Sequence, residues 1–274
     1  GAGVLAGIFL RMIPANVVTA AAEGEMLGLI FFSLLFGYFM TQVPAASSRS
    51  LRNFWQGVFD VMLLITDWVM KFAPVGVFAL VAGVIASTGL DVFIPLAWFF
   101  LTVVLGLAVH TFVTLPLLLR LVGGVSPARH FRAMAPALLT AFSTSSSSAT
   151  LPVTMECVEK NAGVSNRVSS FVLPLGATVN MDGTALYECV AAMFIAQVYG
   201  VELGFTQQFI IVLLALLTSI GVAGIPAASL VAITVILTAV GLPAEGIGLI
   251  LAVDRVLDMC RTSVNVFSDS CGAV

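Results

Sequence analysis

Five polar or charged residues recur at helical spacing near the end of the sequence. Asp254, Asp258, Arg261, Asn265 and Asp269 are separated by 4, 3, 4 and 4 residues. At about 100° per residue they fall within an arc of roughly 80° on one helix face. Their surroundings are apolar, and a charged residue at a bilayer centre costs roughly 3 kcal/mol. This face must contact protein, ligand or ions, and its excess of carboxylates favours a bound cation; an ion-pair network that only fixes helix packing is the alternative.

An earlier apolar segment is interrupted by Asn180-Met181-Asp182-Gly183-Thr184. Amide, carboxylate, hydroxyl and glycine together favour an unwound helix with exposed carbonyl groups. Such oxygens are hard ligands that suit sodium, whereas soft metals call for Cys or His; a simple glycine kink is the alternative. Glu188 follows Thr184 by four residues. It is a candidate proton carrier, unless an unseen partner pairs with it.

Hydroxyl residues from Ser143 to Ser148 divide another apolar segment into arms of about ten residues. An arm of this length spans roughly 15 Å as a helix, about half of the bilayer core. Arg120, Arg129 and Arg132 precede the segment, and Lys160 and Arg167 follow it. Because basic loops favour the cytoplasm, both ends are predicted to face inside, which makes the segment a re-entrant hairpin. Its serine tip offers hydroxyl and N–H groups to an anion, although a flexible turn is the alternative.

A second interrupted segment runs from about Thr206 to Val240 and breaks at 221–226. Its flanks contain Glu202 and Glu245 and no basic residue, so both ends are predicted to face outside. The two hairpins then enter from opposite leaflets, and each is followed by a helix with polar residues. Paired, interrupted segments of this kind indicate an inverted repeat with a binding site near the midplane.

The composition places the chain in the membrane and excludes several classes of protein. Of 274 residues, 60% are hydrophobic and 9% charged, with a mean hydropathy of +1.12. Dispersed basic residues give no nucleic-acid-binding patch. The cysteines have no CxxC spacing, so neither a zinc site nor a disulfide framework is indicated, and His110 and His130 are interpreted as packing or surface residues. No signal peptide is recognised, and both ends are interpreted as truncated. The predicted crossings lie near 25–44, 53–72, 92–119, 170–199 and 246–271.

Three motifs, in this order, resemble the glutamate transporter family, the dicarboxylate/amino acid:cation symporters. They are Ser146-Ser147-Ser148-Ala149-Thr150-Leu151-Pro152, Asn180-Met181-Asp182-Gly183-Thr184 and Asp258-Met259-Cys260-Arg261-Thr262-Ser263-Val264-Asn265. The resemblance implies an all-α polytopic membrane protein with eight transmembrane helices and an inverted repeat of a re-entrant hairpin plus a broken or polar helix. It also implies a homotrimer whose transport domain moves like an elevator against a fixed scaffold.

The family's arrangement implies a division of the chain into seven parts, with the first three helices and most of the fourth outside it. These parts are 1–52, the end of the scaffold helix 4 region; 53–90, the helix 5 scaffold region; 91–125, helix 6; 126–161, re-entrant hairpin 1; 162–200, broken helix 7; 201–243, re-entrant hairpin 2; and 244–274, a C-terminally truncated helix 8.

The resemblance also implies roles for individual residues in holding the substrate. Arg261 would pair with its side-chain carboxylate and Asp258 with its amino group, which agrees with the planar fork that Arg offers a carboxylate. Hydrogen bonds would come from Thr184, Thr262 and Asn265. The two hairpin tips would close around the substrate through Ser146, Ser147, Ser148, Ile225, Pro226, Ala227, Ala228 and Ser229.

Two cation sites are implied in the same way. One would use the carbonyl groups of Gly176 and Asn265 with Asn180 and the carboxylate of Asp269. The other would use Thr178, Asp182 and the backbone of Ser219, Ile220 and Val222. Glu188 matches the proton-carrying glutamate of the excitatory amino acid transporters. The chain departs from its relatives at Ser145 and Met259, one or the other of which is commonly arginine, and at Ser229 and Ser268, which are often glycine.

The resemblance therefore implies sodium-driven symport of glutamate or aspartate, with proton coupling through Glu188 and potassium as a further coupled ion. Carriage of C4-dicarboxylates or neutral amino acids is the alternative; having both Arg261 and Asp258 favours acidic amino acids. An intramembrane serine hydrolase using Ser147 would need a general base, and no histidine lies in a recognisable partner motif; an ion channel is a third interpretation. We expect no enzyme activity, no cofactor, no nucleic-acid partner, and a multi-pass protein of a plasma membrane or bacterial inner membrane.

Overall fold

The computed structural model describes residues 13–23, 26–88, 93–221 and 228–274, and within these ranges the chain forms helices and no strand. It divides into two compact units, Gly1–Ala79 and Leu80–Val274. The helical content agrees with the predicted all-α class.

The first unit contains α1, Val17–Glu23, α2, Met26–Met40, and α3, Ala45–Met70. The Asn16 side chain caps α1 by accepting a hydrogen bond from the N–H of Val18 at 2.8 Å. Large apolar side chains on α3 are exposed, including Phe54 and Trp68. Such a surface suits lipid or another apolar partner. The next helix, α4, covers Ala73–Thr88 and includes the division between the units.

In the second unit, α5 covers Phe93–Leu121, 29 residues with a mean hydropathy of 2.1, and corresponds to the crossing expected near 92–119. By length and composition it is the helix among the described residues that can cross a bilayer. A π-turn, His110–Thr114, interrupts it. Pro116 follows this turn and has no N–H to donate to the carbonyl four residues earlier, which accounts for the wider turn at this point.

The first hairpin consists of α6, Pro127–Thr144, and α7, Ser147–Glu156, and the two arms pack together. Its first arm has 18 residues, and its second arm continues beyond α7 through a π-turn, Cys157–Asn161, so the expectation of arms of about ten residues was too short. Pro127 begins the helix at its first turn, and the basic, polar residues that follow continue it beyond the apolar part. Ser145 turns the chain with a positive φ of 51°, and the Ser146 side chain caps α7.

The predicted helix break lies between α8, Asn166–Val179, and α9, Asp182–Val198. Asn180 and Met181 have non-helical dihedral angles, in agreement with the motif that predicted the break. Just before the start of α8, the half-buried Glu159 accepts hydrogen bonds from the side chains of Ser169 and Asn166, which lower its pKa. These bonds fasten the end of the first hairpin to the start of α8.

The second hairpin consists of α10, Phe205–Gly221, and α11, Ser229–Ala239, which pack together. Its predicted tip, which includes Val222, Ile225, Pro226 and Ala227, lies outside the described residues. A short 3-10 turn, Ala244–Gly246, leads into α12, Ile247–Ala273. Helix α12 packs against α5, α6, α7, α8 and α9, and this position encloses its polar face.

Candidate functional site

The polar face of α12 is buried inside the second unit. Asp254, Asp258, Arg261, Asn265 and Asp269 are each no more than 5% exposed. The spacing predicted that these side chains would avoid lipid, and the structure places them against protein. Burial of this much charge requires compensating partners, because an unpaired ion inside protein is strongly disfavoured.

Arg261 is held by two carboxylates and an aromatic ring. Its Nη1 donates to Oδ1 of Asp254 at 3.0 Å, and its Nη2 lies 2.9 Å from Oδ1 of Asp258. The guanidinium carbon lies 4.2 Å from the centre of the Tyr187 ring, and the Tyr187 hydroxyl donates to Asp254 at 2.7 Å. Asp254, whose role the sequence left open, is thus a partner of Arg261. The ion-pair network considered as an alternative does exist here.

The contact between Arg261 and Asp258 is an ion pair without the alignment of a hydrogen bond. Nη2 is buried and makes no hydrogen bond among the described residues, although Asp258 Oδ1 lies close to it. A guanidinium has five N–H donors in a fixed plane, and its fork matches a carboxylate. The Nη2 edge of Arg261 can therefore bind a carboxylate ligand, while Asp254 holds the Nη1 group and the Tyr187 ring lies against one face of the guanidinium.

Asn265 joins α12 to the beginning of α9. Its Oδ1 accepts hydrogen bonds from the backbone N–H of Gly183 at 2.8 Å and of Thr184 at 3.3 Å. Its Nδ2 donates to Oγ1 of Thr184 at 2.9 Å. The side chain thus satisfies N–H groups that the first turn of a helix leaves without partners. It connects two positions that the resemblance assigned to substrate binding.

A second polar cluster lies one turn further along α12. The Asn180 amide donates to Oδ1 of Asp269 at 3.0 Å and to Oγ of Ser268 at 3.1 Å. Gly176 faces this carboxylate so closely that an added Cβ atom would lie 2.5 Å from Oδ1 of Asp269. The structure therefore brings together Gly176, Asn180 and Asp269, three of the residues assigned to one cation site. Carboxylate, amide and carbonyl oxygens are suitable ligands for a hard cation.

A cavity of about 590 Å³ lies beside this cluster. Asn180, Ser268 and Asp269 provide polar groups to its wall, and most of the remaining lining is apolar, from α5, α8 and α12. Asp258 and Arg261 do not line it. The cavity therefore lies beside the residues predicted to bind a cation and not beside Asp258 and Arg261, the pair predicted to bind substrate.

Asp182 contacts a histidine that the sequence had assigned to packing or the surface. Nε2 of His110, in the π-turn of α5, lies 2.6 Å from Oδ2 of Asp182. The other carboxylate oxygen, Oδ1, accepts a hydrogen bond from the N–H of Gly183 at 2.9 Å. The wider turn of α5 thus places an imidazole against the carboxylate at the helix break. His110 is a partner of a predicted cation ligand.

Glu188 is fully buried between α9 and α10. Its Oε2 lies 2.9 Å from Oγ1 of Thr218, and its Oε1 makes no hydrogen bond among the described residues. The sequence left open whether Glu188 had a partner. The partner is a hydroxyl on the first arm of the second hairpin.

The remaining predicted residues lie on both hairpins and near the helix break. Ser146 and Ser147 are buried at the first tip, where Oγ of Ser146 accepts from the N–H of Ala149 at 3.1 Å. Ser229 is buried with its hydroxyl unpaired among the described residues. Within the described part of the chain, the structure gives no direct hydrogen bond to Arg261 or Asp269 from the other predicted residues, which are Ser148, Thr178, Ser219, Ile220, Ala228 and Thr262.

Four participants were not predicted from the sequence as partners of these groups: Tyr187, His110, Thr218 and Asp254. Asp254 carried a signal, since it occupies the same helical face as Arg261. Tyr187 precedes Glu188, and its cation-π contact depends on how α9 and α12 pack. His110 and Thr218 lie 72 and 30 residues from their partners, so local spacing contains no signal for them.

Neither histidine is placed to activate a serine of the first tip. His110 contacts Asp182, and Nε2 of buried His130 lies 2.9 Å from Oγ of Ser270 on α12. The other ring nitrogen of His130 has no hydrogen-bond partner among the described residues, so no carboxylate orients the ring. This geometry gives no support to the hydrolase interpretation of Ser147.

The described residues form an all-helical protein that contains one helix able to cross a bilayer, paired buried charges beside a broken helix, and two helical hairpins. Residues 2–274 match the model of the sodium:dicarboxylate symporter family. The chain belongs to this family, whose members are symporters rather than enzymes. In this family sodium is a co-transported substrate, and no bound cofactor is indicated.

Curated relatives agree with this assignment. The chain is 46% identical over 250 residues to excitatory amino acid transporter 1 of Homo sapiens, covering 90% of this chain and 46% of that protein. It is 46% identical over 259 residues to human excitatory amino acid transporter 3, covering 94% and 49%. It is 40% identical over 264 residues to the proton/glutamate-aspartate symporter of Escherichia coli K12, covering 96% and 60%. The chain thus spans about half the length of the first two relatives.

Proposed function

We propose that this protein is a secondary active symporter of acidic amino acids, glutamate or aspartate, driven by sodium. The observation that carries the proposal is the buried pair of Asp258 and Arg261, whose charged atoms lie 2.9 Å apart. An acidic amino acid offers a second carboxylate and an ammonium group, which match these two charges. The names of the relatives, which specify glutamate, aspartate or excitatory amino acids, support the same substrate class.

Binding would exchange one set of ion pairs for another. The substrate's side-chain carboxylate pairs with the Nη2 edge of Arg261, and its ammonium group takes Asp258. Asp254 and Tyr187 keep the guanidinium plane in place during this exchange, so little side-chain entropy is lost. Thr184, Thr262 and Asn265 supply hydrogen bonds, and the two hairpin tips, with Ser146–Ser148 and 225–229, close around the substrate.

Sodium would occupy two positions near the helix break. One is formed by Asp269, Asn180 and the carbonyl groups of Gly176 and Asn265. The buried Asp269 carboxylate accepts from the neutral amide of Asn180, so a cation is its natural charge partner. Asn265 supports coupling between the ligands, because its side chain bonds to Thr184 of the substrate set. The other position uses Thr178, Asp182, Ser219, Ile220 and Val222.

Several further features of the proposal rest on the family resemblance. Glu188 carries a proton, with potassium as a further coupled ion. The two hairpins form an inverted repeat, and the transport domain moves like an elevator within a homotrimer. The parts of the chain keep the boundaries given above, from the scaffold region at 1–52 to helix 8 at 244–274. The protein crosses a plasma membrane or bacterial inner membrane several times.

The substrate assignment is tested by uptake into liposomes that contain the full-length protein carrying this sequence. We expect an inward sodium gradient to drive saturable accumulation of glutamate or aspartate, with pH and internal potassium varied in parallel. Succinate and malate should compete weakly because they lack the ammonium that Asp258 would bind, and alanine and serine because they lack the second carboxylate. Stronger uptake of a dicarboxylate or of a neutral amino acid would show that acidic amino acids are not the preferred substrates. Ion flux without saturable, sodium-dependent uptake would indicate a channel.

The contact between His110 and Asp182 predicts an effect on sodium dependence. Replacing His110 with Ala removes the group 2.6 Å from Oδ2 of Asp182 and leaves the hydrogen bond from the N–H of Gly183 to hold that carboxylate. We expect the half-saturating sodium concentration to rise by about tenfold, the lower end of the effect of losing a partner that orients a metal ligand. Titration of uptake against sodium measures it.

His110→Gln is the matched control, because its amide can still donate to Asp182. The half-saturating sodium concentration of His110→Gln should be closer to the wild-type value than that of His110→Ala. Equal sodium titrations for the wild type and His110→Ala would contradict the positioning role of this histidine.

A further inference from the structure

Thr218 lies at the contact between Glu188 and the second hairpin. Both side chains are buried, with relative exposures of 1% for Thr218 and 0% for Glu188. Around Oγ1 of Thr218 are Oε2 of Glu188 at 2.9 Å and the carbonyl oxygen of Leu214 at 2.8 Å, with that of Ala215 at 3.3 Å. One hydroxyl therefore faces several oxygen atoms.

A hydroxyl has a single proton to donate, so the acceptor of the hydrogen bond from Thr218 depends on the protonation state of Glu188. An ionised carboxylate only accepts hydrogen bonds, and Thr218 must then donate to Oε2. A protonated carboxyl group can instead donate to Oγ1, and the Thr218 hydroxyl is then free to donate its own hydrogen bond to the carbonyl of Leu214. Thr218 therefore donates to Glu188 when Glu188 is ionised and accepts from Glu188 when Glu188 is protonated.

Along the chain, Thr218 comes shortly before the predicted tip of the second hairpin. Thr218 lies on α10, which ends at Gly221, immediately before the segment 222–227. The distance along the chain is about one helical turn. A threonine that donates to the carbonyl four residues earlier often bends its helix. Switching that donation on and off is therefore expected to change the bend of α10 just before its last turn.

The ionisable side chains that neighbouring helices bring toward Glu188 contact other partners, so the change of hydrogen bond involves Glu188 and Thr218. Arg261 on α12 interacts electrostatically with Glu188, and it is itself paired with Asp254 and Asp258. The ionisable side chain that α5 brings to α9 is His110, which contacts Asp182. The described parts of α10 and α11 contain no ionisable residue.

We propose that Thr218 is a positioning residue that couples the protonation state of Glu188 to the last turn of α10, next to the tip of the second hairpin. This inference rests on the proposed proton role of Glu188. Thr218 is not a substrate ligand here. It transmits the state of the carboxyl group to the first arm of the second hairpin.

The test compares Thr218→Val with the wild type by measuring sodium-driven glutamate uptake across a series of pH values. Valine keeps the shape and removes the hydroxyl. Since a hydrogen bond to a charged group is stronger than one to a neutral group, its loss disfavours ionised Glu188 more than the protonated form. We expect the midpoint of the pH profile to move by about half a unit to one unit toward higher pH, while sodium-dependent amino acid exchange changes by less than about threefold.

Two further variants separate this effect from a loss of packing. Thr218→Ser keeps the hydroxyl and should restore the wild-type profile. Thr234→Val makes the same change on α11, where the threonine donates to Leu230 at 2.9 Å and the structure gives it no carboxyl contact; its profile should be unchanged. A wild-type profile for Thr218→Val, or an equal shift for Thr234→Val, overturns the proposal.

Glu188→Gln distinguishes the inference from the function on which it rests. It should flatten the pH profile, and adding Thr218→Val to it should cause no further shift. If Glu188→Gln flattens the profile and Thr218→Val has no effect, the coupling role of Thr218 is wrong and the proton role stands. If Glu188→Gln leaves the profile unchanged, both are wrong.

Discussion

Replacing Arg261 with Ala is expected to abolish uptake of glutamate and aspartate. The substitution removes the guanidinium that the substrate carboxylate would occupy, and it leaves Asp254 and Asp258 buried without their cationic partner. Breaking a buried ion pair costs about 3–5 kcal/mol, and a factor of ten in affinity corresponds to about 1.4 kcal/mol. Affinity should therefore fall by at least about a hundredfold, which puts uptake below detection at micromolar substrate.

Arg255 provides a matched control for this experiment. It lies on the same helix, α12, and is exposed rather than buried. Arg255→Ala should leave uptake within about twofold of the wild type, as is usual for exposed substitutions away from a site. Membrane content is measured for both variants by labelling or immunoblotting. Glutamate uptake that is undiminished in Arg261→Ala would contradict the role of Arg261.

Substrate choice gives Arg261→Ala a positive readout as well. Asp258 remains available to hold an ammonium group, so the variant should gain sodium-driven uptake of alanine or serine relative to glutamate. Arg261→Lys should recover only part of the acidic uptake. Lysine supplies a point charge but neither the planar fork nor the contact that Arg261 makes with the Tyr187 ring at 4.2 Å.

Features that depend on neighbours along the chain could be predicted from the sequence. The spacing of the α12 charges predicted their burial on one face. The motif at Asn180 predicted the helix break, which lies between Val179 and Asp182. The first prediction rests on the spacing of polar residues along a helix, and the second rests on local backbone preferences. Both signals are contained in a short stretch of sequence.

Features that depend on distant packing could not be predicted. The contact of His110 with Asp182 needs a π-turn in α5 opposite the break, and the contact of Thr218 with Glu188 needs a particular register between α9 and α10. Asp254 shows an intermediate case. Its place on the polar face was evident, but its choice of Arg261 as partner depends on rotamers and on the Tyr187 hydroxyl.

The cation cluster leads to the second large effect, that of replacing Gly176 with Ala. An added Cβ atom would lie 2.5 Å from Oδ1 and 2.8 Å from Cγ of Asp269. The Asp269 side chain must therefore shift, and because it accepts a hydrogen bond from Asn180, the shift disturbs that contact. The methyl group thus displaces the carboxylate from the position it shares with Gly176 and Asn180. We expect the half-saturating sodium concentration to rise by at least about tenfold, or uptake to be lost.

Gly248→Ala is the control for Gly176→Ala, since a Cβ atom at Gly248 on α12 would meet no atom within 4 Å. It should leave the sodium titration unchanged. Asp269→Asn removes the charge without adding volume, and it should raise the sodium requirement as Gly176→Ala does. Because both substitutions act on one carboxylate, their combination should cost less than the sum of the two single effects. A wild-type sodium titration for Gly176→Ala would show that the Asp269 cluster does not hold the driving cation.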